Sequence, residues 1–211
     1  MRRYFLKNPF WVRWRYPGAV WKVPTTKREL FLTFDDGPHP VATSYVLDLL
    51  AKYQAKATFF CVGTCVERSG HLMERMVSEG HMIGNHTHSH PDGWVSDTAS
   101  YLEEVTACQN LIDLSGGELL FRPPYGNLRF GQLKALKKAG YQIIMWSHLS
   151  GDFDQALDRE QSVGYMKKAD SGSILVFHDS EKAFENLREM LPRVLEHFST
   201  LGYSFKTLRN L

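Results

Sequence analysis

Two adjacent carboxylates follow an apolar run and precede a forced turn. Asp35 and Asp36 come directly after the largely apolar residues 30–34, which are rich in leucine and phenylalanine, and Gly37-Pro38 then turns the chain. Neighbouring carboxylates repel each other, so both stay ionised only beside a cation or hydrogen-bond donors. A metal ion would supply that cation. The rest of the chain should then contain neutral nitrogen ligands.

Two histidines meet that requirement. His86 and His90 are four residues apart, so one helical turn or a tight loop directs both rings to one point. Two imidazoles and one carboxylate leave positions open for water and substrate, as in a catalytic zinc site. Cobalt, nickel or iron suit the same ligands. We interpret His81 and His88 as structural or supporting residues rather than ligands.

Three more polar residues could complete a site. Arg122 precedes two rigid prolines and could hold an acid in its ionised form, although a structural turn with a surface arginine is the alternative. Asp152 could orient a histidine or stabilise its protonated form. His178 ends an apolar run, where a general acid would be well placed. A hydrogen-bonded core histidine is the alternative there.

The elements that must position these residues alternate from residue 29 onward. The predicted strands are 30–34, 57–61, 82–84, 119–121, 142–146, 174–177 and 203–205. The predicted helices are 41–53, 66–79, 96–114, 130–139, 156–169 and 183–198. Several strand runs are apolar without alternation, which is typical of a parallel sheet covered on both faces. The pattern predicts a single α/β domain.

The polar candidates all follow predicted strands. Parallel α/β folds build their sites at the carboxyl ends of strands. A barrel brings all of those ends to one rim, whereas distant strands of an open sheet would stay apart. We therefore favour a barrel-like closure.

Composition limits the class of protein. The chain has 211 residues and is 43% hydrophobic, which suits a globular domain with a substantial core. No uncharged apolar run reaches the roughly 18 residues of a membrane span, and basic residues interrupt any secretory signal. The cysteines Cys61, Cys65 and Cys108 are too few for a disulfide framework, so we expect reduced thiols. Together these features predict a cytoplasmic protein.

Residues 1–28 form a basic aromatic leader. They contain eight Lys/Arg, seven aromatic residues and no Asp or Glu. Such a segment could contact an anionic membrane peripherally, which would place the protein at the inner membrane surface. We favour a leader packed on the domain, because Pro9, Pro17, Gly18 and Pro24 interrupt an amphipathic helix.

The ordered motifs resemble the polysaccharide deacetylase family, the NodB-homology domains of carbohydrate esterase family 4. They stand at residues 33–38, 86–90, 122–125, 150–152 and 174–178, and the resemblance covers about residues 29–208. It implies an α/β fold, a distorted (β/α) barrel with about seven parallel strands and the active site at their C-terminal ends. Residues 29–211 would be this domain. The implied reaction is metal-dependent hydrolysis of N-acetyl groups on a glycan containing N-acetylglucosamine, of the chito-oligosaccharide or peptidoglycan type, which releases acetate.

The resemblance also implies roles around a metal. Asp35 would be the general base and would pair with Arg122. Asp36, His86 and His90 would be the ligands of a divalent ion, with Zn²⁺ as the first choice.

His178 would be the general acid, supported by Asp152. The backbone N–H of Tyr125 would contribute to an oxyanion hole. Two pocket positions depart from the family pattern, a phenylalanine for the usual tryptophan and a valine for the usual leucine, so the shape of the substrate stays open. The predicted pocket residues are Pro123, Tyr125, Phe153 and Val176.

Other functions are compatible with the same site residues or with the leader. An O-acetyl xylan esterase or a deformylase of lipid-linked amino sugars could use the same site. A non-catalytic metal-binding or glycan-binding module is disfavoured, because such domains usually lose the base or a ligand. A third alternative is an interaction protein whose leader is the functional part. The expected partner is an acetylated amino-sugar glycan, nucleic acid is not expected, and the oligomeric state stays open.

Overall fold

Strands and helices alternate along the chain in the computed structural model, which describes residues 10–112 and 118–209. The strands are β1 (Glu29–Asp35), β2 (Ala57–Cys61), β3 (Met82–Asn85), β4 (Leu120–Phe121), β5 (Gln142–Ile143), β6 (His148–Leu149), β7 (Ile174–His178) and β8 (Ser204–Phe205). The helices are α1 (Phe10–Arg15), α2 (Ala42–Lys52), α3 (Gly63–Ser69), α4 (His71–Ser78), α5 (Thr98–Ile112), α6 (Phe130–Lys138), α7 (Arg159–Met166) and α8 (Phe184–Thr200). A single 3-10 turn covers Pro124–Gly126.

Seven strands form one curved, parallel path in the order β5-β4-β3-β2-β1-β7-β6, and β8 pairs with the start of β1. The two ends of this path are close in sequence. Ile144 N–H still donates to Phe121 O beside β4, and Ser147 N–H already donates to Ile174 O of β7. The chain therefore passes from one edge of the sheet to the other within four residues. This closure confirms the predicted distorted (β/α) barrel of about seven parallel strands.

The central strand β1 separates two environments. Leu32 and Phe34 point outward into the core beneath the helices, where Phe34 stacks between Phe59 and Phe177 at 5.1 and 6.2 Å. The alternate residues Thr33 and Asp35 therefore face the interior of the barrel. The register sets Asp35 beside His178 of β7, which brings two candidate site residues together.

Part of the leader packs on the domain. Val20 N–H donates to Ile143 O, and Met145 N–H donates back to Val20 O, both at 2.8 Å. Tyr16 and Trp21 are buried. Residues 1–9 lie outside the described part of the chain, so the leader at residues 1–28 as a distinct unit stays a prediction.

Several element boundaries differ from those predicted. The helix expected at 66–79 is two helices, α3 and α4, which meet at Gly70. The first begins early because Gly63 N–H and Thr64 N–H donate to the carbonyls of residues 87 and 88. Helix α7 begins at Arg159 rather than 156, because Asp158 caps it by accepting from Gln161 N–H. The predicted end of the third helix at residue 114 lies outside the described residues.

The sheet also differs at its edges. The fifth strand is shorter than the predicted 142–146, and β6 at His148–Leu149 was not predicted. All three cysteines are free, and Cys61 and Cys108 are buried, which confirms the prediction of reduced thiols. Among the described helices, none is long and apolar enough to span a bilayer.

Candidate active site

Three candidate metal ligands converge where β1 and β3 end. Asp36 follows β1, and His86 and His90 lie in the loop after β3. The Nε2 atoms of His86 and His90 lie 3.6 and 3.2 Å from Asp36 Oδ1. One ligand atom from each residue lies within 4.8 Å of the other two. A single ion with bonds of about 2.0–2.2 Å could bridge such a group.

The protonation states suit a cation. Burial lowers the pKa of His86 to about 4 against the opposing charge of Asp35, so this imidazole is neutral at pH 7. Its Nδ1 lies 2.7 Å from Arg122 O and donates there, which leaves the Nε2 lone pair facing Asp36. Burial opposes ionisation of Asp36, but the imidazoles of His90, His178 and His86 outweigh it, so its pKa lies below the usual range.

One carboxylate oxygen here is unsatisfied. Asp36 Oδ1 is buried and has no hydrogen-bond partner among the described residues. Leaving a buried charged oxygen unpaired is costly, and a bound cation would satisfy it. The donor set, an anionic oxygen and two ring nitrogens, therefore fits a divalent ion.

Backbone strain is concentrated at this site. Of the five non-glycine residues with positive φ in the described chain, four stand here: Asp36 (75°), Thr87 (66°), His90 (62°) and Tyr125 (58°). Such conformations cost about 1–3 kcal/mol each and persist where neighbours enforce them. Asn85 Oδ1 accepts from Thr87 N–H, and Thr87 Oγ1 accepts from His90 N–H. This loop turns the second imidazole back toward the first.

A fully buried guanidinium holds Asp35. Arg122 Nη1 donates to Asp35 Oδ1 and to Thr33 Oγ1, both at 2.7 Å. Its Nε and Nη2 donate to the carbonyls of Ile144 and Met145, at the point where the barrel closes. Burial lowers the pKa of Arg122, and the Asp35 charge opposes that shift. The guanidinium stays charged and fixes the carboxylate in one orientation.

A second ion pair lies across the rim. Asp152 Oδ1 is 2.7 Å from His178 Nδ1, and its Oδ2 accepts from His178 N–H at 2.9 Å. Burial alone would lower the pKa of His178. The charge and hydrogen bond of Asp152, with smaller contributions from Asp36 and Asp35, outweigh burial and raise that pKa to about 9. This imidazole therefore carries its second proton at pH 7.

Aromatic rings flank both histidine groups. The Tyr125 side chain is 65% exposed, and its ring lies 4.7 Å from that of His90. Phe153 stands edge-on to His178 with ring centroids 4.9 Å apart. Of the other two predicted pocket residues, Pro123 is buried and Val176 is only 1% exposed, two residues before His178 on β7. The roles of all four in a substrate pocket stay predictions.

His81 and His88, which the sequence predicts to be structural or supporting residues, lie against the backbone of neighbouring segments. His81 Nδ1 accepts from Ala57 N–H, and burial lowers the pKa of His81 to about 4. The ring of His88 lies so close to Gly63 that a Cβ there would be 2.4 Å from His88 Nδ1. Neither belongs to the group of Asp36, His86 and His90.

Several supporting residues of the site are not predicted from the sequence. Thr33 accepts from Arg122 and donates to Leu175 O, so it links the guanidinium to β7. The guanidinium also lies 4.2 Å from the centroid of the Phe60 ring. A Cβ on Gly84 would be 2.6 Å from that ring, so only glycine fits there. The one available signal was period-two spacing in β1, which places Thr33 on the same face as Asp35.

Sequence comparisons match this chain to known proteins. The model of the polysaccharide deacetylase family matches residues 22–144, more than half of the chain. A peptidoglycan-N-acetylglucosamine deacetylase of Bacillus cereus is 36% identical over 196 residues, which cover 92% of each chain.

Solved structures share the fold. A peptidoglycan N-acetylglucosamine deacetylase in complex with a naphthalenyl N-oxidanyl-benzamide superposes with a TM-score of 0.85 at 29% identity, covering 95% of each chain. Bacillus subtilis PdaA, a family 4 carbohydrate esterase, superposes with a TM-score of 0.79 at 29% identity, covering 93% of this chain and 85% of the other. The matched sequence and the shared architecture confirm the resemblance carried by the motifs: this chain belongs to the polysaccharide deacetylase family.

Proposed function

We propose that this chain is a metal-dependent hydrolase that removes N-acetyl groups from glycans containing N-acetylglucosamine and releases acetate. The observation that carries the proposal is the convergence of Asp36, His86 and His90 between two oriented ion pairs. The names of the relatives support the reaction and favour peptidoglycan-type substrates, with chito-oligosaccharides as a second form of the same sugar.

The metal ligands in this proposal are Asp36, His86 and His90. Zn²⁺ is the first choice for two imidazoles and a carboxylate, and Co²⁺, Ni²⁺ or Fe²⁺ suit the same donors. When bound, such an ion supplies Lewis acidity toward the amide carbonyl and lowers the pKa of a water from 15.7 to about 7. Neutral His86 already presents a lone pair, so it need not lose a proton on binding.

Asp35 is the proposed general base. It accepts the proton of the attacking water, and Arg122 donates to its Oδ1. The guanidinium is held by two backbone carbonyls as well, so it cannot follow the carboxylate if that side chain rotates. Asp35 therefore meets the water in a fixed orientation.

His178 is the proposed general acid. An amine leaves poorly unless it is protonated, and an imidazole with a pKa of about 9 carries the required proton at neutral pH. Asp152 compensates the positive charge until transfer and holds the tautomer that donates from Nε2. The backbone N–H of Tyr125 would donate to the oxyanion, a contribution of about 3–4 kcal/mol for a well-placed donor.

Acetate release from defined substrates tests this function. Wild-type protein should release acetate from N-acetyl chito-oligosaccharides or peptidoglycan fragments and lose that activity with a chelator. Acetylated xylan and an N-formyl amino sugar complete the panel. Exclusive turnover of either would replace N-deacetylation by the esterase or deformylase alternative.

Replacing the proposed base refines the test. Asp35→Asn should keep its metal and lose activity by about 10²–10⁴-fold, because only proton transfer is removed. Asp97→Asn is the matched control, since this exposed residue caps α5 and Asn caps equally well. Undiminished turnover by Asp35→Asn would contradict the assignment of the base.

A further inference from the structure

Several large apolar side chains are exposed on three chain segments that contact one another. Trp14, Trp94, Val95 and Phe130 are 78%, 48%, 80% and 73% exposed. Single exposed apolar residues are ordinary, but contiguous ones mark interaction surfaces. We call these four residues, with the exposed Arg13, Arg15 and Arg129, the aromatic face.

The aromatic face comes from three chain segments that pack on one another. At the end of α1, the Arg15 guanidinium lies 5.2 Å from the centroid of the Trp94 ring. The next residue, Tyr16, accepts from Leu128 N–H through its hydroxyl at 3.1 Å. Arg129 then donates to Trp94 O at 3.0 and 2.7 Å. The face is therefore a fixed surface of the folded domain.

Arg13, Arg15 and Arg129 give the aromatic face positive charge. The ion pairs of the described residues involve none of Arg13, Arg15 and Arg129. The leader that supplies two of these arginines has eight basic residues and no acidic one. A partner complementary to this surface is negatively charged and able to receive tryptophan and phenylalanine rings.

We propose that the aromatic face docks on an anionic phospholipid bilayer. Tryptophan prefers the boundary between headgroups and acyl chains, and arginine adds attraction to anionic lipid. The proposed contact is peripheral. The loop of residues 90–94 joins the face to His90, so docking would hold the rim of the site at the membrane surface. This proposal does not depend on the chemistry proposed for the site.

Sedimentation with vesicles tests the docking. The full chain should bind vesicles of phosphatidylcholine and phosphatidylglycerol and bind pure phosphatidylcholine at least tenfold more weakly. The double variant V95S/F130S should lose at least tenfold in partition to anionic vesicles. Arg15→Gln should lose about fivefold, the usual share of one basic residue. V77S/L201S, which removes two exposed apolar side chains outside the face, should change partition less than twofold.

Activity and fold are measured in the same samples. V95S/F130S should keep the wild-type thermal midpoint and the wild-type rate on a soluble oligosaccharide, because both side chains are exposed. Failure of the wild type to bind anionic vesicles would overturn the proposal. Equal losses of partition to anionic vesicles in V95S/F130S and V77S/L201S would also overturn it. Unchanged vesicle binding with weaker turnover of polymeric glycan in V95S/F130S would overturn it in favour of a glycan-binding surface.

Discussion

His86 is buried and His178 is partly buried near the ends of parallel strands, yet the pKa values of the two imidazoles shift in opposite directions. The Nδ1 atom of His86 faces the carbonyl of Arg122 at 2.7 Å, and burial lowers its pKa to about 4. The Nδ1 atom of His178 faces the carboxylate of Asp152 at the same distance, and its pKa rises to about 9 despite burial. The difference lies in the charge of the acceptor.

This contrast separates two kinds of chemistry within one rim. A neutral acceptor leaves an imidazole with a free lone pair, which suits a metal ligand. A charged acceptor keeps the second proton on the ring, which suits a general acid. The partner of Nδ1 therefore decides which role each histidine can take.

The largest effect is expected from removing a proposed metal ligand. His86→Ala should lose bound metal and reduce acetate release by more than about 10³-fold, because Lewis acidity and water activation are lost together. Metal analysis and rate measurements on the same sample check this. His88→Ala is the matched control, since His88 lies in the same loop outside the ligand group. Full metal occupancy in His86→Ala would remove that residue from the proposed ligands.

An intermediate effect is expected from giving His178 a neutral hydrogen-bond acceptor like that of His86. Asp152→Asn replaces the charged acceptor of His178 with a neutral one. The pKa of His178 should fall well below 9, and kcat at pH 7 should drop about 10²–10³-fold with metal content unchanged. A pH–rate profile measures the shift. If the alkaline limb of the Asp152→Asn profile stays at its wild-type pH, Asp152 does not set the pKa of His178.

The smallest effect is on stability. The folded-state pKa of His178 is raised from about 6.5 to about 9, so its stabilisation is complete below the lower value and is lost as pH rises through 9. The shift corresponds to at most about 3 kcal/mol of unfolding free energy. In chelator-treated protein, the free energy of unfolding should fall between pH 6 and pH 10 by up to about 3 kcal/mol more in the wild type than in Asp152→Asn. Denaturant unfolding of both proteins at the two pH values measures these free energies. An equal change with pH in the two proteins would contradict the claim that Asp152 raises the pKa of His178.

The ends of the long strands were predictable from the sequence. Residues 30–34 and 174–177 are continuous apolar runs, and such runs form strands buried on both faces. Polar residues directly after them must then lie at one rim of a parallel fold. The sequence therefore predicts that Asp35, Asp36 and His178 lie near one another, and β1 and β7 pair Asp35 with His178.

Other parts of the site could not be predicted, because they depend on tertiary contacts. The two-residue strand β6 forms where Ser147 and Ser150 donate to β7, and its own sequence resembles a loop. Thr33 and Gly84 act through Arg122 and Phe60, which lie far along the chain. The opposite pKa shifts of two histidines likewise depend on which atom each Nδ1 meets, and spacing carries no information about that.

The central claim is that one divalent ion is bound by a carboxylate and two neutral imidazoles. Anomalous diffraction from crystals of the wild-type protein grown with Co²⁺ tests it most directly. One peak is expected per chain, about 2.0–2.2 Å from Asp36 Oδ1, His86 Nε2 and His90 Nε2. A peak elsewhere, or none in crystals grown with saturating Co²⁺, would contradict the account.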